Sequence, residues 1–245
     1  RMEEIEEAIT KVIAGPEKKS RVISEKERKL TAFHEAGHAV VGRLLPGSDP
    51  VHQVTIIPRG RAGGFTMSLP KEDRYYATKK GMYNDIIELL GGRVAEQLTL
   101  DDISTGASND IMRATEIARG MVTKYGFSEK IGPVTFGHRQ DQVFLGRDIA
   151  RDKDYSEEVA AEIDKEVRAF LDDAYAATEK LLNENMDKLH LIAQALIERE
   201  TLEKEEIADI VNHGRILTKE EREAMEAASD PVVEALTATE ETEQA

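Results

Sequence analysis

The sequence contains no cysteine and no tryptophan, and only 5% of its 245 residues are aromatic. The absence of cysteine excludes a cysteine zinc site, a cysteine nucleophile and a disulfide framework. No apolar run approaches the ~20 residues that span a bilayer. The first twenty residues are charged throughout, unlike the apolar segment of a signal peptide. We therefore expect the chain to be soluble.

The charge balance is strongly acidic, with 33 Lys and Arg against 48 Asp and Glu, a net charge of −15. Proteins that bind nucleic acid gather Lys and Arg on one face to neutralise phosphates. Nucleic acid is therefore not an expected partner. The length allows one or two domains with a sizeable buried core.

Apolar spacing and capping signals predict a mainly α-helical fold. A capping box formed by Ser24 and Glu27 opens one helix, which Pro46-Gly47 ends. Ser108 is the predicted N-cap of another helix, which Gly126 terminates. The helix that Ser108 caps covers residues 109–124, and the further predicted helices cover residues 2–14, 78–98, 156–183, 186–199 and 203–213.

A small β element accompanies these helices. Residues 51–58 and 64–69 are rich in β-branched side chains and predict two short strands, joined by a glycine-rich loop. A second pair is predicted at 134–136 and 142–145.

Gly91-Gly92 inside a helix costs roughly 1 kcal/mol per glycine relative to alanine, which indicates that another group packs very close there.

The pentapeptide HEAGH at residues 34–38 carries the clearest chemical signal. On a helix, His34 and His38 lie one turn apart on the same face, so that both imidazoles can reach one metal ion. Glu35 is rotated by about 100° and can hold a water on that ion without being a ligand. Zinc activates such a water, and a carboxylate can take its proton. The alternative is two histidines and an acid on a helix face, with no metal.

A catalytic zinc site needs a third protein ligand. Local context favours Asp110, which lies in the first turn of a predicted helix beside Ser108 and Asn109 as possible supporting donors. An acid at that position also complements the helix dipole without binding metal. Spacing alone leaves the choice open among His52, Glu96, Asp101, Asp102, Asp110 and His138.

Six ordered segments of the chain are distinctive: HEAGHAVV, the strand at 54–60, GGRVAEQ at 91–97, STGASNDI at 104–111, YGFSEKIGP at 125–133 and FLGR at 144–147. Together they resemble the peptidase domain of the FtsH family of membrane-anchored, ATP-dependent zinc proteases. The resemblance implies a helical zinc metallopeptidase with a small β element. It also implies Zn²⁺ held by His34, His38 and Asp110, Glu35 as the catalytic base, and Glu96 behind the ligands; Asn109 is a further candidate for that supporting role.

The resemblance implies an organisation for the whole protein as well. Residues 1–20 correspond to the end of an ATPase module and its linker, and residues 21–214 to the peptidase domain. The composition of residues 215–245, rich in Glu, Ala and Thr, separately predicts an acidic, disordered tail. ATP would bind only in the ATPase module, since this sequence has no G-x-x-x-x-G-K-[ST] loop. The family's pattern further implies a homohexamer, an N-terminal membrane anchor, and a peptidase domain on the cytoplasmic, matrix or stromal side.

The expected function is therefore endopeptidase cleavage of unfolded polypeptides delivered by an attached ATPase. We hypothesise that the strand at 54–57 is an exposed sheet edge that pairs with substrate backbone. The alternative is an ordinary sheet edge that binds no substrate. Two other functions remain open at this point. One is a helical assembly module with a structural zinc, against which Glu35 argues, and the other is metal-assisted hydrolysis of a non-peptide amide.

Overall fold

A computed structural model describes residues 11–12, 15, 23–59, 62–70, 75–100, 102–137 and 155–229. Within them the chain forms seven helices and one small sheet, which confirms a mainly α fold with a minor β element. The helices are α1 (Glu25–Leu44), α2 (Lys79–Thr99), α3 (Ser108–Thr123), α4 (Glu157–Asn183), α5 (Met186–Arg199), α6 (Lys204–His213) and α7 (Lys219–Ser229). The strands are β1 (Val51–Thr55), β2 (Phe65–Ser68) and β3 (Thr201–Glu203).

Helix α1 is the centre of the domain. It begins at the predicted capping box, in which the Ser24 side chain accepts from the Glu27 N–H and the Glu27 carboxylate accepts from the Ser24 N–H. From Ala32 to Gly42 every residue is buried. A helix that is covered on all sides needs neighbours on all sides. Helices α2 and α5 and the sheet supply them, while α2 also packs against α3 and α4.

Helices α1 and α2 cross at unusually close range because glycines meet there. A Cβ on Gly37 would lie 2.4 Å from the Gly91 carbonyl oxygen and 2.6 Å from the Ala95 Cβ. A Cβ on Gly91 would lie 3.0 Å from the Gly37 carbonyl oxygen. The close approach that the sequence predicted at Gly91 is confirmed, and it brings the α2 backbone within reach of α1 side chains.

Gly37→Ala is expected to destabilise the domain, although alanine is the better helix former. Overpacking a tight contact costs about 1–3 kcal/mol, whereas the gain in helix propensity is about 1 kcal/mol. The matched control is Gly120→Ala in α3, where the nearest described atom to a new Cβ belongs to Tyr125, at 3.7 Å. Urea unfolding measures both changes, and a Gly37→Ala variant as stable as the control would contradict the close crossing.

The sheet is antiparallel, with strand order β2-β1-β3. Val54 pairs with Thr66 of β2 on one side and with Leu202 of β3 on the other. The Ile56 N–H beyond β1 donates to the Glu200 carbonyl oxygen at 2.9 Å. The hypothesis that residues 54–57 form an exposed edge is therefore wrong, because β1 is the central strand. The outer strands of this sheet are β2 and β3.

Three other predictions differ from the structure. Residues 134–136 are not a strand; the Phe136 N–H donates to the Thr123 carbonyl oxygen at the end of α3 instead. Ser108 is the first helical residue of α3 and not its N-cap, which is Ala107. Helix α7 occupies 219–229, inside the segment 215–245 for which disorder was predicted. The strand predicted at 142–145, residues 230–245 and, apart from 11 and 12, the helix predicted at 2–14 lie outside the described residues.

The C-terminal helix α7 is held by a buried acid. The Asp209 carboxylate accepts from the Arg222 Nε–H at 2.8 Å and from the Leu217 N–H at 3.0 Å. Arg222 also donates to the Leu217 carbonyl oxygen.

In the part of the chain that the structure describes, every helix is too short or too polar to span a bilayer.

Candidate metal centre

Three side chains converge in one place, two of them from α1 and one from the first turn of α3. The Nε2 atoms of His34 and His38 lie 3.2 Å apart. An Asp110 carboxylate oxygen lies 3.4 Å from the Nε2 atom of His34 and 3.7 Å from that of His38. Among the described residues these three form the group of side chains that could hold a metal ion.

The separations between these donor atoms fit zinc. A tetrahedral ion with ligands at 2.0–2.1 Å requires donor atoms about 3.4 Å from one another, and the three observed distances lie between 3.2 and 3.7 Å. Nitrogen and carboxylate oxygen are also ligand types that zinc accepts. The two imidazoles and the carboxylate therefore supply three positions and leave the fourth for water or substrate.

The position of Gly92 keeps this space open. A Cβ on Gly92 would lie 2.5 Å from the His34 Cε1 atom and 2.6 Å from the Nε2 atoms of His34 and His38. Any larger residue would occupy the space beside the donor nitrogens. The second glycine of the Gly91-Gly92 pair is thus explained by the imidazoles, as the first is explained by the crossing of α1 and α2.

Helix α2 orients both imidazoles through hydrogen bonds to their Nδ1 atoms, on the far side of each ring from Nε2. The His34 Nδ1–H donates to Glu96 Oε1 at 2.7 Å, and the His38 Nδ1–H donates to the Glu88 carbonyl oxygen at 2.8 Å. A hydrogen bond at Nδ1 fixes the tautomer and turns the Nε2 lone pair towards a metal. The main-chain acceptor is within reach because the glycines let α2 approach α1 so closely.

The electrostatics of the group favour a cation between the three donors. Burial disfavours a charged His34, but hydrogen bonds to Asp110 and Glu96 outweigh it and raise the pKa of His34 to about 10. Burial also opposes ionisation of Asp110, yet the two histidines hold its pKa well below the usual range. A proton and a metal ion compete for the same lone pairs, so metal binding here releases protons.

Glu35 lies next to this group on α1 and is buried. Its Oε2 atom accepts from the Thr66 Oγ1–H of β2 at 2.8 Å. Burial raises the pKa of Glu35, and the neighbouring histidines partly offset the rise. Gly64 packs against it closely, since a Cβ there would lie 3.0 Å from the Glu35 Cγ and 2.6 Å from the Thr55 carbonyl oxygen. Strand β2 therefore holds the carboxylate in place.

The other candidate ligands that the structure describes, Glu96, His52 and Asp102, are not part of the group. Glu96 contacts the Nδ1 side of His34 and not the side that faces Asp110. His52 lies on β1, and Asp102 is exposed after α2. Asp101 and His138 lie outside the described residues. Among the residues that the structure describes, no hydrogen bond links Asn109 to Asp110; Asn109 is exposed.

Sequence reasoning missed two residues that support the site. Thr66 holds Glu35 and Ser104 holds Glu96. Nothing in the local pattern marks either one, since each acts across a tertiary contact. Ser104 belongs to the STG segment, which the sequence marks only through the family resemblance.

Comparison with known proteins gives a consistent result. Residues 21–210 match the model of peptidase family M41. The chain is 65% identical over 222 residues to the ATP-dependent zinc metalloprotease FtsH 2 of Alkaliphilus metalliredigens, covering 91% of this chain and 32% of the relative. The corresponding protein of Bacillus subtilis is 50% identical over 239 residues, covering 97% and 37%. The chain thus spans about a third of the length of these relatives. It belongs to peptidase family M41, as the resemblance to the FtsH proteases predicted.

Proposed function

We propose that this chain is a zinc-dependent endopeptidase domain that cleaves unfolded polypeptides, with His34, His38 and Asp110 as metal ligands and Glu35 as general base. The observation that carries the proposal is the group of three donor atoms at zinc-ligand separations, beside a buried carboxylate on the same helix. The relatives' names, which attribute zinc metalloprotease activity to those proteins, support it.

A zinc ion bound there would supply a Lewis acid that activates water near neutral pH and polarises the substrate carbonyl. Glu35 accepts a proton from the attacking water while the water oxygen bonds to the carbonyl carbon of the substrate. Thr66 already donates to Oε2 of Glu35, so we assign the proton to Oε1. Glu35 then delivers the proton to the departing amine nitrogen as the C–N bond breaks. The raised pKa of Glu35 suits a group that must both take and release a proton.

Strand β2 is the proposed site of substrate backbone pairing, in place of β1. It is an outer strand, and its Thr66 touches the catalytic carboxylate. The Leu69 N–H donates to the Pro50 carbonyl oxygen on the β1 side. Because successive N–H groups of a strand alternate in direction, the Ser68 N–H faces the outer side. A peptide added at that edge gains main-chain hydrogen bonds that do not depend on its side chains.

Ser68→Pro is expected to lower peptidase activity roughly 3- to 10-fold, as for the loss of one hydrogen bond, while zinc content stays normal. Proline removes the outward N–H and leaves the pairing with β1 in place. The control is Ser68→Ala, which removes the hydroxyl's bond to Glu88 but keeps the N–H. Equal turnover of an unfolded protein by both variants would eliminate β2 as the pairing edge.

In the whole protein, we propose that an ATPase module delivers unfolded substrate to this domain, that the subunits form a homohexamer, and that a membrane anchor places the domain on the cytoplasmic, matrix or stromal side. The relatives' names include ATP dependence. Residues 1–20 would form the link to the ATPase module, and residues 21–214 the peptidase domain.

Removal of zinc with a chelator is expected to abolish cleavage of unfolded casein, and one equivalent of zinc per chain is expected to restore it. The measurement is release of soluble peptides beside metal content. A metal-free chain that still cleaves casein would contradict the proposal. A chain that binds zinc but never cleaves casein would favour the assembly module instead.

A further inference from the structure

Glu96 is a carboxylate that solvent does not reach, with 0% of its surface exposed. A buried carboxylate is costly unless its oxygens accept hydrogen bonds. Oε1 accepts from His34 Nδ1–H at 2.7 Å and from Ser104 Oγ–H at 3.0 Å, while Oε2 accepts from Ser104 N–H at 2.7 Å. Ser104 therefore supplies two of these three donors and holds both oxygens of the carboxylate.

The hydroxyl of Ser104 is itself oriented. Its Oγ accepts from the Gly106 N–H at 3.0 Å, which leaves its own proton directed to Glu96. A Cβ on Gly106 would lie 3.0 Å from that Oγ, so glycine keeps the hydroxyl accessible to the main chain. The turn is completed where the Ser108 N–H donates to the Thr105 carbonyl oxygen at the start of α3.

We infer that Ser104 is a positioning residue of the zinc site, which acts through Glu96 on the imidazole of His34. This inference rests on the proposed function. With both carboxylate oxygens held, Glu96 cannot rotate, and its Oε1 atom fixes the direction of the His34 Nδ1–H and hence of the Nε2 lone pair. Without the hydroxyl, the Oε1 atom keeps only the bond from His34 itself, and the Ser104 N–H alone holds the carboxylate from the other side. The orientation of His34 is then less firmly fixed.

The test is the zinc dissociation constant of the 245-residue chain, measured by competition with a chromophoric chelator. Changing a partner that orients a ligand typically weakens metal binding 10- to 100-fold, and we expect about 10-fold for Ser104→Ala, which acts one contact further away. Ser104→Thr keeps the hydroxyl and is expected to bind zinc as the wild type does. The threonine variant keeps the test open if the alanine variant fails to fold. A folded Ser104→Thr chain that binds zinc tenfold more weakly than the wild type would overturn the inference.

Ser128→Ala is the matched control. Ser128 donates to the buried carboxylate of Glu166 at 2.7 Å, a bond of the same kind in a place away from the metal centre. Both alanine variants are expected to lose thermal stability, but only Ser104→Ala should lose zinc affinity. Unchanged zinc affinity in Ser104→Ala, or an equal loss in Ser128→Ala, would overturn the inference.

A double-mutant cycle tests whether the effect passes through Glu96. In a Glu96→Gln background, Ser104→Ala is expected to cause little further loss of zinc affinity, because the carboxylate it positions has gone. Fully additive losses would overturn the proposed route. If the wild type bound no zinc, or bound it equally well after His34→Ala, the proposed function would fail; if only the Ser104 variants behaved unexpectedly, this inference alone would fail.

Discussion

Glu35→Gln is expected to leave zinc binding intact and to reduce peptide cleavage about 1,000-fold, within the range for loss of a positioned general base. Glutamine has nearly the same shape and keeps an oxygen that can accept from Thr66, so β2 stays in place. Its amide cannot take a proton from the attacking water or return one to the amine. The loss should therefore appear in the rate of cleavage and not in the metal content.

Glu25→Gln makes the same chemical change in an exposed residue of α1 and is expected to retain full activity. The two variants are compared by casein digestion and by zinc analysis after dialysis. Substantial cleavage by Glu35→Gln would remove this residue from the mechanism. Loss of zinc in that variant would instead mean that the carboxylate belongs to the metal's own ligands.

Asp110→Asn is expected to lose both zinc and activity. Changing a residue that hydrogen-bonds to a metal ligand lowers metal affinity 10- to 100-fold. Removing the charge of a ligand itself is therefore expected to lower zinc affinity more than about 100-fold. The amide has the size of the carboxylate but no negative charge to balance the cation. The structure brings an Asp110 carboxylate oxygen to 3.4 Å and 3.7 Å from the two Nε2 atoms, whereas Glu96 contacts His34 at its Nδ1 atom.

Glu116→Gln, a charge change on the exposed face of α3, serves as control and is expected to bind zinc normally. Zinc affinity is measured for both variants by chelator competition. Full zinc occupancy in Asp110→Asn would transfer the third ligand to another residue. A loss confined to Glu96→Gln would identify Glu96 as that residue.

Local signals predicted most of the helices. The Ser24–Glu27 capping box begins α1 as expected, and Ser156 caps α4 by accepting from the Val159 N–H. The spacing of His34 and His38 placed both imidazoles on one face of a helix, because that placement depends only on helix geometry. The paired glycines of α2 correctly indicated a close approach, although not what approaches.

Tertiary contacts explain what the sequence could not supply. Local spacing leaves six residues open as third ligand, because the choice depends on where the start of α3 lies relative to the two histidines. Strand β3 lies about 150 residues after β1 and is only three residues long. Local sequence does not indicate this pairing, so the sequence predicts β1 as an edge strand. Helix α7 has an acidic, alanine-rich sequence typical of a disordered tail, and its contact through Asp209 and Arg222 is long-range.

Anomalous diffraction at the zinc absorption edge, from crystals of the zinc-loaded chain, tests the central claim most directly. We expect one strong peak about 2.0–2.2 Å from the Nε2 atoms of His34 and His38 and from a carboxylate oxygen of Asp110, with a fourth position open to solvent. A peak bonded to Glu96 in place of Asp110, or an ion enclosed by four side chains, would contradict the account.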